Sequence, residues 1–445
     1  MNDLELICNS LVNIIYEDKK SNDEINYLAK KTQALAYATK LIYGVLENKI
    51  YLDYMIGKLS KIKIKKIHKN VLTILEMGLY NIHFLATKDY ATVDKLVELT
   101  KKKNKRSANF VNAILRNFIR NEDEIAKIYI KDDIKALSVR YSMPEEISRY
   151  VYDNYGMDYT KNFLRYTNDE AKLSIRVNFL KTDRESLKNR LEALGFKLSL
   201  SKISDRALII NNPSGLANCD EFKDGLFTIQ QEASMKSVEV LNPKKNSRIL
   251  DICAAPGTKT SYLAEYTSNT GKIIANDISK NKLGLIEENI KRLGLSNVDI
   301  KSFDGSVFNK EYEESFDYIL VDAPCSGLGV MARKPEIRYN RNLADIRALG
   351  NLQRKILDTS IRYLKADGEI LYSTCTLGPI ENLDNFNYLK AHKELELLKV
   401  DGKDYIEFVC FEDKTDGFFI SKFKKKNYEK NTKWQIYKGN WRYIS

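Results

Sequence analysis

The segment Ser247–Thr260 constrains the fold of this 445-residue chain more than any other stretch. Residues 248–252 (RILDI) are a short apolar run with one acid inside it. This pattern predicts a buried parallel strand, because both faces of such a strand are covered. Pro256-Gly257 predicts a tight turn with Gly257 at positive φ, and Thr258 and Thr260 are suited to cap a following helix. Strand, turn and helix start together predict the ligand-binding corner of a doubly wound α/β sheet.

The predicted corner differs from sites that hold pyrophosphate. It contains one glycine instead of Gly-x-Gly-x-x-Gly, and it has no Walker lysine pattern. A cofactor that contains adenosine but no phosphate would fit such a loop, and S-adenosylmethionine is the common candidate. This stretch alone leaves open a strand-turn-helix that binds nothing.

Charge and composition limit the partners and the cellular location. The formal net charge is +12, which indicates a polyanionic partner such as nucleic acid or, equally, a lysine-rich solvated surface. No apolar run reaches the length of a membrane span, and the N-terminus lacks the order of a signal peptide. We therefore expect a cytoplasmic protein with no membrane partner.

Cysteine and histidine usage argues against a metal centre. Six cysteines are scattered without a Cys-x-x-Cys pair, and the three histidines stand alone. Neither a zinc site nor a disulfide framework is indicated, so we expect no metal. Any chemistry should then depend on cysteine and aspartate.

Three regions follow one another along the chain, and the predicted class is α/β. Residues 1–130 show apolar residues at helical spacing and two basic clusters, which predicts a helical bundle with an RNA-binding face. Residues 131–228 mix helices and strands and are predicted to be a small α+β module. Residues 229–445 alternate strands and helices and are predicted to form a Rossmann-like domain. Its strands are predicted at 248–252, 272–276, 298–301, 318–321 and 369–373. Lys424–Lys426 is predicted to be an exposed turn.

Two acids after predicted strands are candidate cofactor ligands. Asp277 ends the second strand, where a carboxylate can accept hydrogen bonds from both ribose hydroxyls, although it could also cap the next helix. Asp304 follows the third strand and could bond an adenine amino group, with Phe303 packed on the base. Asp304-Gly305 is also typical of a plain turn.

Two cysteines and an acid follow the next two strands. Asp322 and Cys325 follow the fourth strand and Cys375 follows the fifth, so a parallel sheet would bring them to one crevice. A thiolate that adds to carbon 6 of a pyrimidine makes carbon 5 nucleophilic toward a sulfonium methyl group, and an acid near N3 stabilises the adduct. A base then removes the proton from carbon 5 and the thiol leaves. These considerations do not rank the two cysteines.

The motifs in this crevice resemble those of the RNA cytosine-5 methyltransferase family. They are Cys253-Ala-Ala-Pro-Gly-Thr-Lys-Thr260, Asp322-Ala-Pro-Cys-Ser-Gly327 and Ser373-Thr-Cys-Thr376, with further likeness at Gln230–Ser234, Arg333–Glu336 and Asp416–Phe419. Segments 38–46, 74–80, 91–99 and 110–115 resemble the NusB-type helical RNA-binding domain. Together they indicate the RsmB (Fmu/Sun) type, which methylates a cytosine of small-subunit (16S) ribosomal RNA.

The resemblance implies a role for each matching residue. Cys375 would be the nucleophile, Cys325 would assist product release, Asp322 would contact N3, and Lys259 would join the catalytic set. The cofactor S-adenosylmethionine would be held by Cys253, Ala254, Ala255, Pro256, Gly257, Thr258, Lys259, Asp277, Asp304 and Asp322. The family usually has a second glycine where Thr258 stands and an aspartate where Gln231 stands. We expect a monomer that acts on small-subunit ribosomal RNA. The alternatives are a non-catalytic NusB-like RNA-binding factor and a transfer RNA cytosine-5 methyltransferase.

Overall fold

A computed structural model describes residues 2–86, 90–169 and 171–427, and it describes residues 435–437 and 440–442 as backbone only. The chain forms two compact units. Unit 1 contains residues 1–170 and 331–343, and unit 2 contains residues 171–330 and 344–445. The domain boundaries predicted at 130 and 228 do not coincide with these units and stay a prediction.

Unit 1 is helical, as predicted. Its helices are α1 (Asp3–Tyr16), α2 (Ser21–Ala29), α3 (Leu35–Leu59), α4 (Lys69–His83), α5 (Tyr90–Lys103), α6 (Ala108–Ile125), α7 (Asp133–Arg140) and α8 (Glu145–Tyr166). Every residue of α4 from Val71 to Ile82 is buried. Helix α4 is therefore the central element of this core, and its neighbours cover it on all sides.

Residues 331–343 belong to unit 1 although the chain on either side belongs to unit 2. Arg338 is buried and donates hydrogen bonds to the carbonyl oxygens of Glu47 (2.9 Å) and Tyr141 (3.2 Å). Glu336 accepts a hydrogen bond from the Ser21 hydroxyl at 3.0 Å. These buried polar contacts hold the returning segment in the helical unit.

Unit 2 begins with a small antiparallel sheet in the order β2-β3-β1-β4. Its strands are β1 (Leu173–Val177), β2 (Leu198–Leu200), β3 (Ala207–Ile210) and β4 (Phe227–Ile229), with helices α9 (Arg184–Ala193) and α10 (Asp220–Lys223). Asp183 caps α9 by accepting a hydrogen bond from the Ser186 amide. The α+β character predicted for this region is confirmed.

The rest of unit 2 is built on one eight-stranded sheet in the order β10-β12-β9-β8-β5-β6-β7, with β11 paired to β12. Strands β5 to β9 pair in parallel. At one edge of the sheet, β12 pairs antiparallel with β9, β10 and β11. The strands are β5 (Arg248–Asp251), β6 (Lys272–Asn276), β7 (Val298–Lys301), β8 (Phe316–Asp322), β9 (Leu364–Thr374), β10 (Leu395–Leu398), β11 (Ile406–Phe408) and β12 (Phe418–Lys425). The helices are α11 (Glu232–Leu241), α12 (Thr258–Tyr266), α13 (Lys280–Leu293), α14 (Leu343–Tyr363), α15 (Leu383–Lys390) and α16 (Cys410–Asp413), and β13 (Gln435–Tyr437) pairs with β14 (Asn440–Arg442).

Two local predictions are wrong. Helix α12 is preceded by Gly257 at φ +95° and has no side-chain cap, and Thr260 instead donates to Asp251 at 2.7 Å. A Cβ at residue 257 would lie 3.0 Å from the Cα of Ile286, so a close backbone approach requires this glycine. Lys425 is not in an exposed turn. It ends β12, is largely buried, and donates to the Leu364 carbonyl at 3.0 Å.

A fully buried ion pair lies in unit 2 between β1 and α12. The Arg176 guanidinium donates to the Glu265 carboxylate at 2.7 Å and to the Thr258 carbonyl at 2.7 Å, and neither charged side chain is exposed. Because removal of one partner leaves an uncompensated buried charge, Arg176→Met should lower the free energy of unfolding of this unit by about 3–5 kcal/mol.

Chemical denaturation followed by tyrosine fluorescence and circular dichroism would measure this change. The matched control is Arg149→Met, which removes an exposed guanidinium paired with Asp132 and should leave the unfolding midpoints unchanged. Equal losses of unfolding free energy in the two variants would show that the buried ion pair stabilises the protein no more than the exposed one.

Candidate active site

The carboxyl ends of the parallel strands meet at one edge of the large sheet, and acids follow or end three of them. Asp251 ends β5, Asp277 follows β6 and Asp322 ends β8, while β9 ends at Thr374. Because β8 and β9 are parallel neighbours, the loops that follow them leave the sheet side by side. This is the arrangement predicted from the strand pattern.

The two cysteines of these loops are in contact. The Sγ atoms of Cys325 and Cys375 are 3.1 Å apart. The hydrogen bond with Cys375 is the largest cause that raises the pKa of Cys325, followed by burial and by the negative charges of Cys375, Glu381 and Asp322. All of these causes favour the neutral thiol at Cys325. The predicted convergence of the thiols is confirmed, although their chemical roles stay predictions.

Lys259 and Asp322 form an ion pair at the same edge. The Lys259 ammonium lies 2.7 Å from Asp322 Oδ2, and the Ser373 hydroxyl donates to Asp322 Oδ1 at 3.0 Å. Burial alone would lower the pKa of Lys259, but the Asp322 carboxylate and, less strongly, a Cys375 thiolate more than offset it, so this pKa is raised.

The loop after β5 is tied to β6 through Asp277. Asp277 Oδ2 accepts a hydrogen bond from the Ala255 amide at 3.1 Å, and Oδ1 accepts one from the Ser279 amide at 2.9 Å. The Ala254 amide donates to the Asn276 carbonyl at 2.7 Å. Asp277 therefore orders the predicted cofactor loop and the turn before α13, whose N-cap is Ser279 and has no side-chain cap, and its contact with ribose stays a prediction.

Asp251 has an unusual environment beneath this loop. Its carboxyl group is buried, with Oδ2 bonded to Thr260 and Oδ1 without any hydrogen-bond partner. Burial raises its pKa to about 7 despite the hydrogen bond from Thr260. Cys253 is two residues farther along, and burial raises its pKa well above the usual range, so it is expected to be an unreactive thiol.

Asp304 lies apart from the buried acids. It is exposed, and it accepts hydrogen bonds from the amide and the hydroxyl of Ser306 at 2.9 and 2.7 Å, which lower its pKa. Phe303 packs on Tyr312 with ring centroids 5.3 Å apart. The plain-turn alternative therefore describes the local geometry well, and any adenine contact of Asp304 stays a prediction.

The three further motifs, at residues 230–234, 333–336 and 416–419, lie in different surroundings. Gln230 and Gln231 accept hydrogen bonds from Arg176 and Ser174 of β1, so they connect the first motif to the small sheet. In the Asp416–Phe419 motif, Gly417 donates to the Gly329 carbonyl at 2.9 Å, and the Lys259 ammonium lies 5.2 Å from the Phe418 ring centroid. Arg333–Glu336 belongs to unit 1.

Several polar residues around the cysteines were not anticipated. Glu381, Gln353 and Asn382 are buried and form hydrogen bonds to the two cysteine loops. Asn276 links Ile252 and Phe303 through its amide at 3.0 and 3.1 Å. The closeness of Glu381 and Asn382 to Cys375 in the sequence was the only signal that could have pointed to them.

Metal-binding clusters and membrane-spanning helices are both absent from the residues that the structure describes. No group of three or more His, Cys, Asp or Glu side chains there could hold a metal ion. No helix of the described part of the chain is long and apolar enough to cross a membrane.

Three family models match successive parts of the chain. They are the NusB family (residues 2–120), the ferredoxin-like domain of RsmF/B-like methyltransferases (143–217) and the 16S rRNA methyltransferase RsmB/F model (238–424). A probable ribosomal RNA small subunit methyltransferase B of Bacillus subtilis (strain 168) is 33% identical over 425 residues, covering 92% of this chain and 94% of the relative. The chain belongs to the ribosomal RNA small subunit methyltransferase B family. The predicted family, the helical NusB-like domain and the α/β methyltransferase domain are thereby confirmed.

Two solved structures are similar to about two thirds of this chain. A methyltransferase homolog protein from Pyrococcus horikoshii has 28% identity and a TM-score of 0.60, covering 66% of this chain and 100% of the neighbour. NSun6 from Pyrococcus horikoshii, solved with SFG, has 26% identity and a TM-score of 0.57, covering 64% of this chain and 98% of that one.

Proposed function

We propose that this member of the small subunit methyltransferase B family transfers a methyl group from S-adenosylmethionine to carbon 5 of a cytosine in 16S ribosomal RNA. The observation that carries the proposal is the pair of thiols 3.1 Å apart beside the Lys259–Asp322 ion pair. One thiol can add to carbon 6 of a cytosine ring and the other can help it leave, while the ion pair exchanges a proton with N3. A non-catalytic RNA-binding factor would have no use for them.

The loop after β5 fits an adenosine-containing cofactor. Asp277 lies at the end of β6, where a carboxylate can bond ribose hydroxyls, and Ile278 beside it is 67% exposed and can cover one face of an adenine. The unpartnered Oδ1 of Asp251 can accept a hydrogen bond from the amino group of the methionine part. The SFG-bound relative NSun6 supports this assignment, because SFG is an analogue of S-adenosylmethionine.

Asp277→Asn should weaken cofactor binding about 10- to 100-fold, because hydrogen bonds to a charged group contribute about 1.5–3 kcal/mol. Isothermal titration with S-adenosylmethionine measures the change. Asp299→Asn is the control, since Asp299 lies on β7 and pairs with Lys272. An Asp277 variant that binds as tightly as the control would remove this acid from the cofactor site.

In the first step, the Cys375 thiolate attacks carbon 6 of the cytosine. The bond from sulfur to carbon 6 forms as the electron pair of the C5–C6 double bond moves to the C4–C5 bond. The electron pair of the C4–N3 double bond moves to N3, which takes a proton from the Lys259–Asp322 pair. Carbon 5 becomes nucleophilic in this adduct. S-adenosylmethionine supplies the electrophilic methyl group, and Lys259 and Asp322 hold the ring in position to receive it.

In the second step, Cys325 assists release of the methylated base. As the bond from Cys375 Sγ to carbon 6 breaks, the Cys325 thiol gives its proton to the departing Cys375 thiolate across the 3.1 Å contact. The Cys325 sulfur then accepts the proton that leaves carbon 5, while N3 returns its proton to the Lys259–Asp322 pair. The double bond between carbons 5 and 6 is restored, and both cysteines end as thiols.

RNA binding is assigned to the basic surface of unit 1. Lys61, Lys63, Lys65 and Lys66 are exposed, as are Lys102, Lys105 and Arg106. Such a surface binds phosphates without reading sequence, and the target base must leave its stack to reach a partly buried thiol. We infer a cytoplasmic monomer, because ribosomal RNA is the substrate and one chain carries both cysteines.

The test is incubation of unmodified 16S ribosomal RNA with the protein and methyl-labelled S-adenosylmethionine, followed by digestion to nucleosides. We expect the label in 5-methylcytidine at one position located by bisulfite sequencing. Label in any other nucleoside would refute the proposed chemistry, and label in transfer RNA alone would replace the proposed substrate. An absence of cofactor binding would support the non-catalytic alternative.

A further inference from the structure

One buried carboxylate lies behind both cysteine loops. Glu381 is completely buried, and its Oε1 accepts hydrogen bonds from the Ser326 amide at 2.8 Å and from the Gln353 amide group at 3.1 Å. Its Oε2 accepts a short hydrogen bond from the Ser326 hydroxyl and lies 3.5 Å from the Thr376 hydroxyl. Three donors thus bond to the two oxygens of one side chain, and the Thr376 hydroxyl lies beside them.

These donors belong to the residues that follow the two cysteines. Ser326 follows Cys325, Thr376 follows Cys375, and the two hydroxyl oxygens are 2.6 Å apart. Because the Ser326 hydroxyl donates to Glu381, the hydroxyl of Thr376 must be the donor between the pair. Thr376 in turn accepts from the Leu328 amide at 3.3 Å. The carboxylate therefore sets the direction of a hydrogen-bond chain that crosses from one loop to the other.

Gln353 extends the same network to the residue before Cys325. Its amide group donates to the Pro324 carbonyl at 2.9 Å as well as to Glu381, and its oxygen accepts from Tyr372 and Asn385 at 3.0 and 2.7 Å. Pro324 and Ser326 are thus fixed on either side of Cys325. On the other loop, Asn382 bonds to Thr374 and to the Thr376 carbonyl, on either side of Cys375.

We infer that Glu381 is a positioning residue that aligns the sulfur atoms of Cys325 and Cys375. It acts through Ser326 and Thr376, the residues that follow the two cysteines. A carboxylate suits this task because it only accepts hydrogen bonds, and the Ser326 amide, the Ser326 hydroxyl and the Gln353 amide group that bond to it are all donors. A glutamine of the same shape would turn an amide NH₂ group toward one of these donors.

The inference deepens the proposed function, since proton exchange between the thiols requires their contact, but its test needs no RNA and no cofactor. Diamide oxidises two adjacent thiols to a disulfide. Each sulfur loses a proton and an electron, the S–S bond forms, and the diamide N=N bond is reduced to a hydrazine. The rate at which Cys325 and Cys375 become linked in the free protein therefore measures how well the sulfurs are aligned.

Peptide mass mapping after timed diamide treatment is the experiment. We expect the wild-type protein to form the Cys325–Cys375 disulfide rapidly and Glu381→Gln to form it about tenfold more slowly, because a displacement of about 1 Å is enough to cost such factors in reactions between positioned groups. Glu407→Gln is the matched control, since Glu407 is a partly buried acid on β11 of the same sheet. It should react at the wild-type rate.

Turnover supplies a second readout. Glu381→Gln should lower kcat about 10- to 100-fold while the affinity for S-adenosylmethionine stays within about twofold, since loss of a supporting hydrogen bond misaligns groups without removing a ligand contact. Should Glu381→Gln melt far below the wild type, Ser326→Ala, which removes only the bridging hydroxyl, carries the same expectations.

Three results would overturn the inference. They are an unchanged disulfide rate in both variants, an equal slowing in Glu407→Gln, and a wild-type protein that forms no Cys325–Cys375 disulfide. A failure to methylate 16S ribosomal RNA would refute the proposed substrate but would leave the disulfide rates, and the role of Glu381 in aligning the thiols, unaffected.

Discussion

Replacing Cys375 by alanine is expected to abolish methyl transfer, with a loss of more than about 10⁴-fold in turnover, because the alanine variant cannot form the covalent adduct that activates carbon 5. Steady-state transfer of label to 16S ribosomal RNA measures the loss. The affinity for S-adenosylmethionine should remain close to the wild-type value, since the cofactor contacts are assigned to the loop after β5 and to Asp277.

Cys219→Ala is the matched control for this substitution. Cys219 is also a partly buried free thiol of unit 2, and its Sγ contacts the Leu216 carbonyl. The control variant should turn over at the wild-type rate. If Cys375→Ala remained active while Cys325→Ala lost activity without forming an adduct, the roles of the two cysteines would be reversed.

The second large effect is expected at Cys325. Without this thiol, the departing Cys375 thiolate has no proton donor at 3.1 Å, and the proton on carbon 5 has no acceptor. Attack and methyl transfer should still occur once, so Cys325→Ala should accumulate an enzyme–RNA complex that survives denaturing gel electrophoresis. Multiple turnover should fall about 10²- to 10⁴-fold, the range typical of losing a positioned acid–base group.

The accumulated complex must depend on both the cofactor and the other cysteine. We expect no complex when S-adenosylhomocysteine replaces the methyl donor, and none in the double variant Cys325→Ala with Cys375→Ala. A Cys325→Ala protein that turns over freely would contradict the role in release. So would a complex that forms equally well in the double variant.

The strand pattern was sufficient to predict that the two thiols meet. The apolar runs at 248–252, 318–321 and 369–373 predicted parallel strands, and the parallel order alone brings Cys325 and Cys375 to one edge. The local sequence also predicted the turn at Gly257. Glycine has no Cβ, so it adopts a positive φ without strain and does not clash with the backbone of α13.

The polar contacts between residues that are distant in the sequence could not be predicted. Thr260 looked like a helix cap but bonds to Asp251, and Arg176 pairs with Glu265 across 89 positions. Glu381 bonds to Ser326, which is 55 positions away. A local pattern contains no signal for such partners, because burial and tertiary packing decide them. Lys425 was misjudged for the same reason, since its carbonyl partner, Leu364, lies on a neighbouring strand.

A covalent bond between Cys375 and the target base decides the proposed mechanism. RNA that contains 5-fluorocytidine can accept the thiolate and the methyl group, but fluorine cannot leave carbon 5 as a proton does, so the adduct is held. After protease and nuclease digestion, mass spectrometry should find a methylated fluorocytidine attached to the peptide that contains Cys375. Attachment at Cys325, or methylated RNA with no attached peptide, would contradict the mechanism.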